Sequence, residues 1–240
     1  MAAAVSLKPA WLPRRAAPEA LTLWAVCFGA TAISFVLAPA VAKAVATVGF
    51  LYLPLLSMDR RGEDYPDYGL SSRQLGRDVK QFLAVAAIVF PLFIAGYVAF
   101  AWLYPALPPW VRALTPYTGA PRFHFRLPAD FAVLAVDHLF VVALPEEFFY
   151  RGFLQQRLND AWPGGRILFG ARVGRAFWVT AILFALGHLA IFQVWRLGVF
   201  FPALIFGWMR EKSGSVVGAA LFHAAANLLV QVLDASFFGR

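Results

Sequence analysis

The side chains of this chain that could do chemistry are concentrated in its last hundred residues. Glu146 and Glu147 are adjacent, and Arg151 follows four residues after the second of them. His188 and His223 come later, each within a separate apolar segment. Carboxylates and imidazoles are the groups that most often move protons in enzymes, so this pattern indicates acid–base chemistry on a water molecule.

Hydrolysis of a peptide bond needs a base for the attacking water, a proton donor for the leaving amine and hydrogen-bond donors for the developing oxyanion. Glu146 and the histidines could move the protons. Asn227 follows His223 by four residues and shares its helical face, so both could donate to the oxyanion. Glu147 is spaced to pair with Arg151, whereas Glu146 points about 100° away around the helix and is free to face a cavity.

The elements that must position these groups are membrane helices. The chain has 240 residues, of which 61% are hydrophobic and 14% charged, too apolar for a soluble domain. A carboxylate near the bilayer centre costs about 2.5–3.5 kcal/mol on insertion scales, so the adjacent glutamates are expected to be functional. The sequence predicts an all-α fold, a polytopic transmembrane helical bundle of about seven spans, with six or eight as alternatives. We expect one integral membrane domain, residues 1–240.

The predicted spans follow the apolar runs. Residues 21–57 are too long for one crossing and are interrupted by Pro39 and Lys43, which predicts a helical hairpin. Pro145 cannot donate a backbone N–H to the carbonyl four residues earlier, so the helix is expected to kink or restart just before the glutamates. The further predicted spans are residues 81–104, 128–150, 175–192, 197–209 and 215–237.

The basic residues predict an orientation. With the N-terminus in the cytoplasm, 15 Lys and Arg residues fall on the inner side and 6 on the outer side. This places the glutamates near the cytoplasmic end of their span. The net charge of +8 is explained by loops that flank the spans, so no nucleic-acid partner is expected. Cys27 is the single cysteine, which excludes a disulfide framework within the chain and a thiolate metal cluster. Abundant Arg and Ala favour a bacterial inner (plasma) membrane.

Three motifs, in this order, resemble those of the CPBP family of glutamic-type intramembrane endopeptidases, the CAAX-processing and bacteriocin-processing (Abi) enzymes. The motifs are Glu146-Glu147-x-x-x-Arg151, Phe184-x-x-x-His188 and His223-x-x-x-Asn227. The resemblance covers residues 128–233, the expected catalytic core. Residues 1–127 contribute spans and loops without a recognised motif, and a myxosortase-like member is one placement for the chain.

The resemblance implies an endopeptidase that hydrolyses a peptide bond of a membrane-anchored or lipidated protein near the membrane surface. It implies that Glu146 activates water with His188, that His223 and Asn227 form the oxyanion site, and that no cofactor is needed. The residues that it assigns to support of the site are Glu147, Arg151 and Phe184. Two histidines and two glutamates could also hold zinc, and that alternative stays open.

A non-enzymatic membrane protein is the other hypothesis, either a proton-coupled transporter or an immunity-type scaffold. Intramembrane glutamates and histidines also serve proton relays. The sequence lacks the paired broken helices and repeated halves that are typical of many transporters. Each histidine alone would fit a satisfied buried residue, so the combination of polar groups from three spans is what favours the enzyme.

Overall fold

The computed structural model of the protein describes residues 12–239. This part of the chain is nearly all helical. Its α-helices are α1 (Leu12–Leu37), α2 (Pro39–Asp59), α3 (Leu75–Leu103), α4 (Pro109–Ala113), α5 (Phe131–Val136), α6 (Leu144–Glu147), α7 (Gln155–Ala161), α8 (Arg175–Gly187), α9 (Phe200–Ser213) and α10 (Val217–Phe238). Shorter 3-10 helices cover Tyr65–Tyr68, Ser72–Gln74, Tyr104–Ala106, His188–Ile191 and Val194–Val199.

Four helices of the described residues are long and apolar enough to cross a membrane: Arg15–Leu37, Pro39–Asp59, Ser72–Ala106 and Val217–Phe238. A shorter apolar helix covers Arg175–Ile191. Large apolar side chains on these helices are exposed at the outside of the bundle, as expected for contact with lipid. The chain is therefore an integral membrane protein, and the predicted number of about seven spans stays a prediction.

The predicted helical hairpin is confirmed. Helix α1 ends at Leu37, and α2 begins at Pro39 and packs against it. The residue between them, Ala38, has φ −150° and ψ 71°, outside the helical region. Proline is well placed here because a first-turn residue has no intrahelical partner for its N–H. The hairpin also brings Thr47 of α2 against the helix that carries the glutamates.

That helix, which we call the glutamate helix (residues 131–161), is unbroken but contains two segments with a different hydrogen-bonding pattern. Helices α5, α6 and α7 are joined by two π-helical segments, Asp137–Ala143 and Phe148–Leu154. Pro145 lies in the first turn of α6 and has no N–H to donate to the Val141 carbonyl. The Thr47 hydroxyl donates to that carbonyl instead, at 2.8 Å. The expected kink or restart is therefore a change of helix type. π-Helical segments are frequent at functional sites.

The glutamate helix extends beyond the predicted span. It continues past Tyr150 to Ala161, so Glu146 lies at the midpoint of the helix. The position of the glutamates near the cytoplasmic end of the span stays a prediction. The extension is polar but buried, because its side chains find partners on neighbouring helices. Arg157, which is 2% exposed, pairs with Glu19 of α1 at 2.9 Å.

A charged cluster closes the bundle at this end. Besides Arg157, Glu19 binds Arg61 at 2.9 Å, and Arg61 in turn contacts Glu63 at 2.6 Å. The Tyr68 hydroxyl donates to Glu63 at 2.6 Å, and burial together with this bond raises the pKa of Tyr68 well above its ordinary value. The cluster ties α1, the loop after α2 and α7 together.

A short β-hairpin follows the glutamate helix and was not expected in an all-α fold. Strands β1 (Arg166–Leu168) and β2 (Ala171–Val173) pair in antiparallel fashion. They are joined by Phe169 and Gly170, both with positive φ, as two-residue hairpin turns require. The three-residue strands are too short to give a recognisable alternating pattern.

Candidate active site

The second glutamate and the arginine form a buried ion pair, as their spacing predicts. Arg151 Nη1 donates to Glu147 Oε1 at 3.1 Å, and both side chains are 0% exposed. The other guanidinium nitrogen, Nη2, donates to the Ala203 carbonyl at 3.2 Å. The guanidinium carbon lies 4.1 Å from the centre of the Phe184 ring. Because the pair is desolvated on all sides, either charge left alone would be strongly unfavourable.

The same carboxylate oxygen binds a histidine from α10. His223 Nδ1 lies 2.9 Å from Glu147 Oε1. A carboxylate paired with arginine only accepts hydrogen bonds, so Nδ1 carries the hydrogen and donates it. The imidazole also stacks on Phe206 of α9, with ring centres 4.7 Å apart and planes 15° apart. These two contacts hold the opposite ring nitrogen, Nε2, towards Glu146.

Glu146 is the partly accessible member of the group. Its side chain is 18% exposed, and its Oε2 lies 4.0 Å from His223 Nε2. That oxygen is buried and has no hydrogen-bond partner within residues 12–239. A separation of 4.0 Å is too long for a direct hydrogen bond and suits two groups that share a water or a reacting atom. Glu146 is therefore the more accessible of the two glutamates, and one of its carboxylate oxygens is unpaired among the described residues.

His188 approaches from the end of α8. Its Nδ1 lies 2.9 Å from the Phe184 carbonyl, and its ring centre lies 4.6 Å from that of Phe184. A carbonyl only accepts, so Nδ1 carries the hydrogen, and in the neutral ring Nε2 presents a lone pair. Glu146 and His223 both interact electrostatically with His188. Phe184 thus supports two groups of the site, His188 and Arg151.

Asn227 lies one turn beyond His223 on α10 and is half-buried. In the described part of the chain its amide makes no hydrogen bond, so its N–H groups are free to donate. The structure thus joins Glu146, Glu147 and His223 by short distances. His188 is within electrostatic range of them, and Asn227 lies beside them without a direct contact.

Two residues that contact the site, Tyr150 and Phe206, are not motif residues and were not predicted from the sequence. Tyr150 is buried, and its ring meets Phe184 edge to face at 4.9 Å. Its hydroxyl lies directly against the α-carbon of Gly187, the residue before His188, so that a Cβ at 187 would collide with it. Gly187, next to His188, was the one feature of the sequence that could have indicated this close contact. Phe206, which stacks on His223, lies in a segment without any motif.

A metal centre is not apparent in the side-chain geometry. Among residues 12–239, no three His, Cys, Asp or Glu side chains form a group that could hold a metal ion. Nδ1 of His223 is already bonded to Oε1 of Glu147, and the same Glu147 oxygen also accepts a bond from Arg151. The zinc alternative therefore stays a question for experiment.

Comparison with known proteins finds a family model that matches the segment carrying this site. Residues 128–229 match the Rce1-like family, described as type II CAAX prenyl endopeptidase Rce1-like. No curated protein and no solved structure matches the chain. The matched residues include all three motifs, and the match confirms the resemblance seen in the sequence. Residues 128–229 of this membrane protein are therefore similar to the Rce1-like family of CAAX prenyl endopeptidases, as expected for a chain that resembles the CPBP proteases.

Proposed function

We propose that the protein is an intramembrane endopeptidase that uses Glu146 as the base for a water molecule. The observation that carries the proposal is the 4.0 Å separation of Glu146 Oε2 and His223 Nε2, two groups presented by different helices. His223 is held by its stacking on Phe206 and its bond to Glu147, and the Glu146 oxygen has no partner among the described residues. A family of peptidases matches this same segment.

The proposed reaction begins with a water between Glu146 and His188. Glu146 takes one proton while the water oxygen bonds to the carbonyl carbon, and the Nε2 lone pair of His188 orients the water. The carbonyl oxygen becomes an oxyanion, which receives hydrogen bonds from the Asn227 amide and from His223 Nε2 when both ring nitrogens of His223 are protonated. Glu146 then returns its proton to the peptide nitrogen, and the C–N bond breaks to give a carboxylic acid and an amine. The second proton of the water then passes from the acid to the amine, which leaves a carboxylate and an ammonium group.

Glu147 and Arg151 do not touch the reacting atoms in this scheme. Glu147 sets the orientation of His223 through Nδ1, and Arg151 supplies the buried counter-charge that pairs with Glu147. Phe184 packs against the guanidinium and places His188 through its backbone carbonyl. No cofactor takes part in the proposed reaction.

The proposed substrate is a membrane-anchored or lipidated protein. The matched family is described as a prenyl endopeptidase, and CAAX sequences are C-terminal prenylation signals. Helices that expose apolar side chains at the outside of the bundle would let a lipid-anchored substrate approach from the bilayer. A bacterial inner membrane and a cytoplasmic N-terminus complete the proposal.

Cleavage of a lipidated reporter by the purified protein in nanodiscs tests this function. Glu146→Gln and His188→Ala are expected to lower the rate by about 10²–10⁴-fold, the usual contribution of a general base. His124→Ala is the matched control, because His124 is exposed. Comparing membrane proteomes of wild-type and Glu146→Ala cells would identify natural substrates that are no longer shortened.

Full activity of Glu146→Gln would contradict the mechanism. Proton-dependent solute uptake by reconstituted vesicles, without proteolysis, would instead favour the transporter hypothesis. Because the exposed His124 reports any general effect of losing a histidine, the contrast with His188 isolates the role of the site.

A further inference from the structure

A line of polar side chains continues from the proposed site along the contact between α10 and the glutamate helix. On α10, Asn227 and Gln231 follow His223 at intervals of four residues and share its face. Gln231 Nε2 lies 2.7 Å from Nε2 of His138 on the opposite helix. We call the line from Glu146 and His223 through Asn227 and Gln231 to His138 the polar seam. At about 1.5 Å per residue it is about 12 Å long.

Several polar atoms of the seam lack partners. His138 Nδ1 and Glu146 Oε2 are buried and, within the described chain, have no hydrogen bond. Asn227, which lies between them, likewise has no partner among residues 12–239. Leaving a buried polar atom without a hydrogen bond is costly, and ordered water is the usual remedy at a polar site. His138 and Glu146 are eight residues apart on the glutamate helix, and Asn227 lies between them on α10, which suits a chain of waters rather than one isolated molecule.

The far end of the seam reaches an exposed ion pair. Asp137, the residue before His138, binds Lys43 of α2 at 2.5 Å, and their side chains are 30% and 54% exposed. Lys43 lies in the first turns of α2, close to the turn of the α1–α2 hairpin. The opposite end of the seam is closed, because every residue of Phe148–Leu154 is buried. Apart from the 18% exposed side chain of Glu146 itself, access for water to the seam is therefore from the Lys43 end.

We propose that the polar seam holds a file of water molecules that runs from the Lys43–Asp137 pair to Glu146 and supplies the water consumed in hydrolysis. About four waters at the usual hydrogen-bond spacing of about 2.8 Å would fill it. The predicted orientation places its mouth on the side opposite the basic loops. The role in hydrolysis rests on the proposed function, whereas the presence of water in the seam does not.

Silver-ion labelling of single cysteines tests for the water file directly. Ag⁺ is small, reaches narrow aqueous cavities and reacts with thiolates, which form only where the thiol is hydrated. Cys27 is the chain's single cysteine, so Cys27→Ala gives a cysteine-free background. His138→Cys and Gln231→Cys are the test variants. Phe140→Cys is the matched control, because Phe140 lies two residues from His138 at similar depth and is 58% exposed on the outside of the bundle.

We expect His138→Cys and Gln231→Cys to react with Ag⁺ at least about tenfold faster than Phe140→Cys. Since AgCl is insoluble, the vesicles would be prepared in nitrate, with Ag⁺ added to one side. Reaction should be fast from the side opposite the basic loops and slow from the other. Equal reactivity of all three variants, or fast reaction only from the basic side, would overturn the proposal.

Activity measurements then test what the water does. His138→Leu removes the polar partner, whereas His138→Gln keeps a group that can bind water. We expect His138→Leu to lower kcat about tenfold with KM unchanged, and His138→Gln to retain most of kcat. If both variants are fully active, or both lose activity equally, the seam does not supply the reaction. An inactive wild-type protein with hydrated seam cysteines would contradict the proposed function and leave the water file standing.

Discussion

Oε1 of Glu147 lies 2.9 Å from Nδ1 of His223 and 3.1 Å from Nη1 of Arg151. One buried oxygen therefore serves both a charge partner and a histidine that faces the site. Substitutions of Glu147 should therefore change both the stability of the fold and the position of His223, and unfolding and activity measurements can separate the two effects.

Glu147→Ala leaves the Arg151 guanidinium buried without its counter-charge. We expect a loss of about 3–5 kcal/mol in the free energy of unfolding, measured by thermal or denaturant unfolding in detergent. The double variant Glu147→Leu/Arg151→Leu removes both charges and should recover most of this loss while remaining inactive, because His223 is no longer held. If Glu147→Ala is as stable as the wild type, the Glu147–Arg151 pair is not desolvated.

Gly187→Ala should impair catalysis through Tyr150. The added Cβ meets the Tyr150 hydroxyl and must displace either that side chain or the adjacent His188. A displacement of about 1 Å at a catalytic group can cost about 10²-fold in rate, and kcat of the reporter cleavage measures it.

Two controls sharpen this prediction. Gly198→Ala should be silent, because a Cβ at 198 has nothing within 4 Å. Gly187→Ala/Tyr150→Phe removes the clashing oxygen and should restore much of the activity. If the double variant stays as inactive as Gly187→Ala, the Tyr150 hydroxyl is not the cause.

Gly152 allows the glutamate helix to pack closely on the loop after α2. A Cβ at this position would lie 2.8 Å from the Tyr68 backbone oxygen, which has little freedom to move. Gly152→Ala should therefore destabilise the fold by about 1–3 kcal/mol in unfolding experiments. Gly96→Ala in α3, where nothing lies within 4 Å, should be neutral or stabilising by up to about 1 kcal/mol. Equal stability of the two variants would argue against the close approach.

Chelation separates the metal-free mechanism from the zinc alternative. We expect EDTA and 1,10-phenanthroline to leave reporter cleavage unchanged within about twofold, since Glu147 and His223 are engaged with each other. Loss of activity on chelation, restored by added zinc and absent in Glu146→Gln, would establish a zinc enzyme instead.

The sequence predicts contacts that lie within one helix better than contacts between helices. The four-residue spacing of Glu147 and Arg151 predicts their ion pair, and Pro39 predicts the turn of the hairpin. The bond from Glu147 to His223 depends on how α10 packs against the glutamate helix, and no spacing along the chain contains that information. The motifs suggested oxyanion stabilisation for His223 but gave no sign of what orients it.

The glutamate helix extends beyond the predicted span for a different reason. Hydropathy falls after Tyr150 because the following residues include Gln155 and Arg157, so the predicted span stops there. In the folded chain both side chains are buried, since Gln155 binds Glu211 of α9 at 2.8 Å and Arg157 binds Glu19 of α1. A buried polar residue whose hydrogen-bond partner is distant in sequence therefore looks like a residue of an exposed loop when the sequence alone is considered.

The Thr47 hydroxyl that bonds the Val141 carbonyl has a consequence for the modularity of this protein. Thr47 lies outside the segment that matches the protease family, and Val141 lies inside it. A chimera that joins residues 128–229 to the N-terminal hairpin of another protein would keep every motif residue. It would still lose the hydroxyl that bonds the Val141 carbonyl, about one turn before the glutamates. Domain exchange in this family should therefore succeed only when the incoming hairpin brings a hydroxyl at the equivalent position.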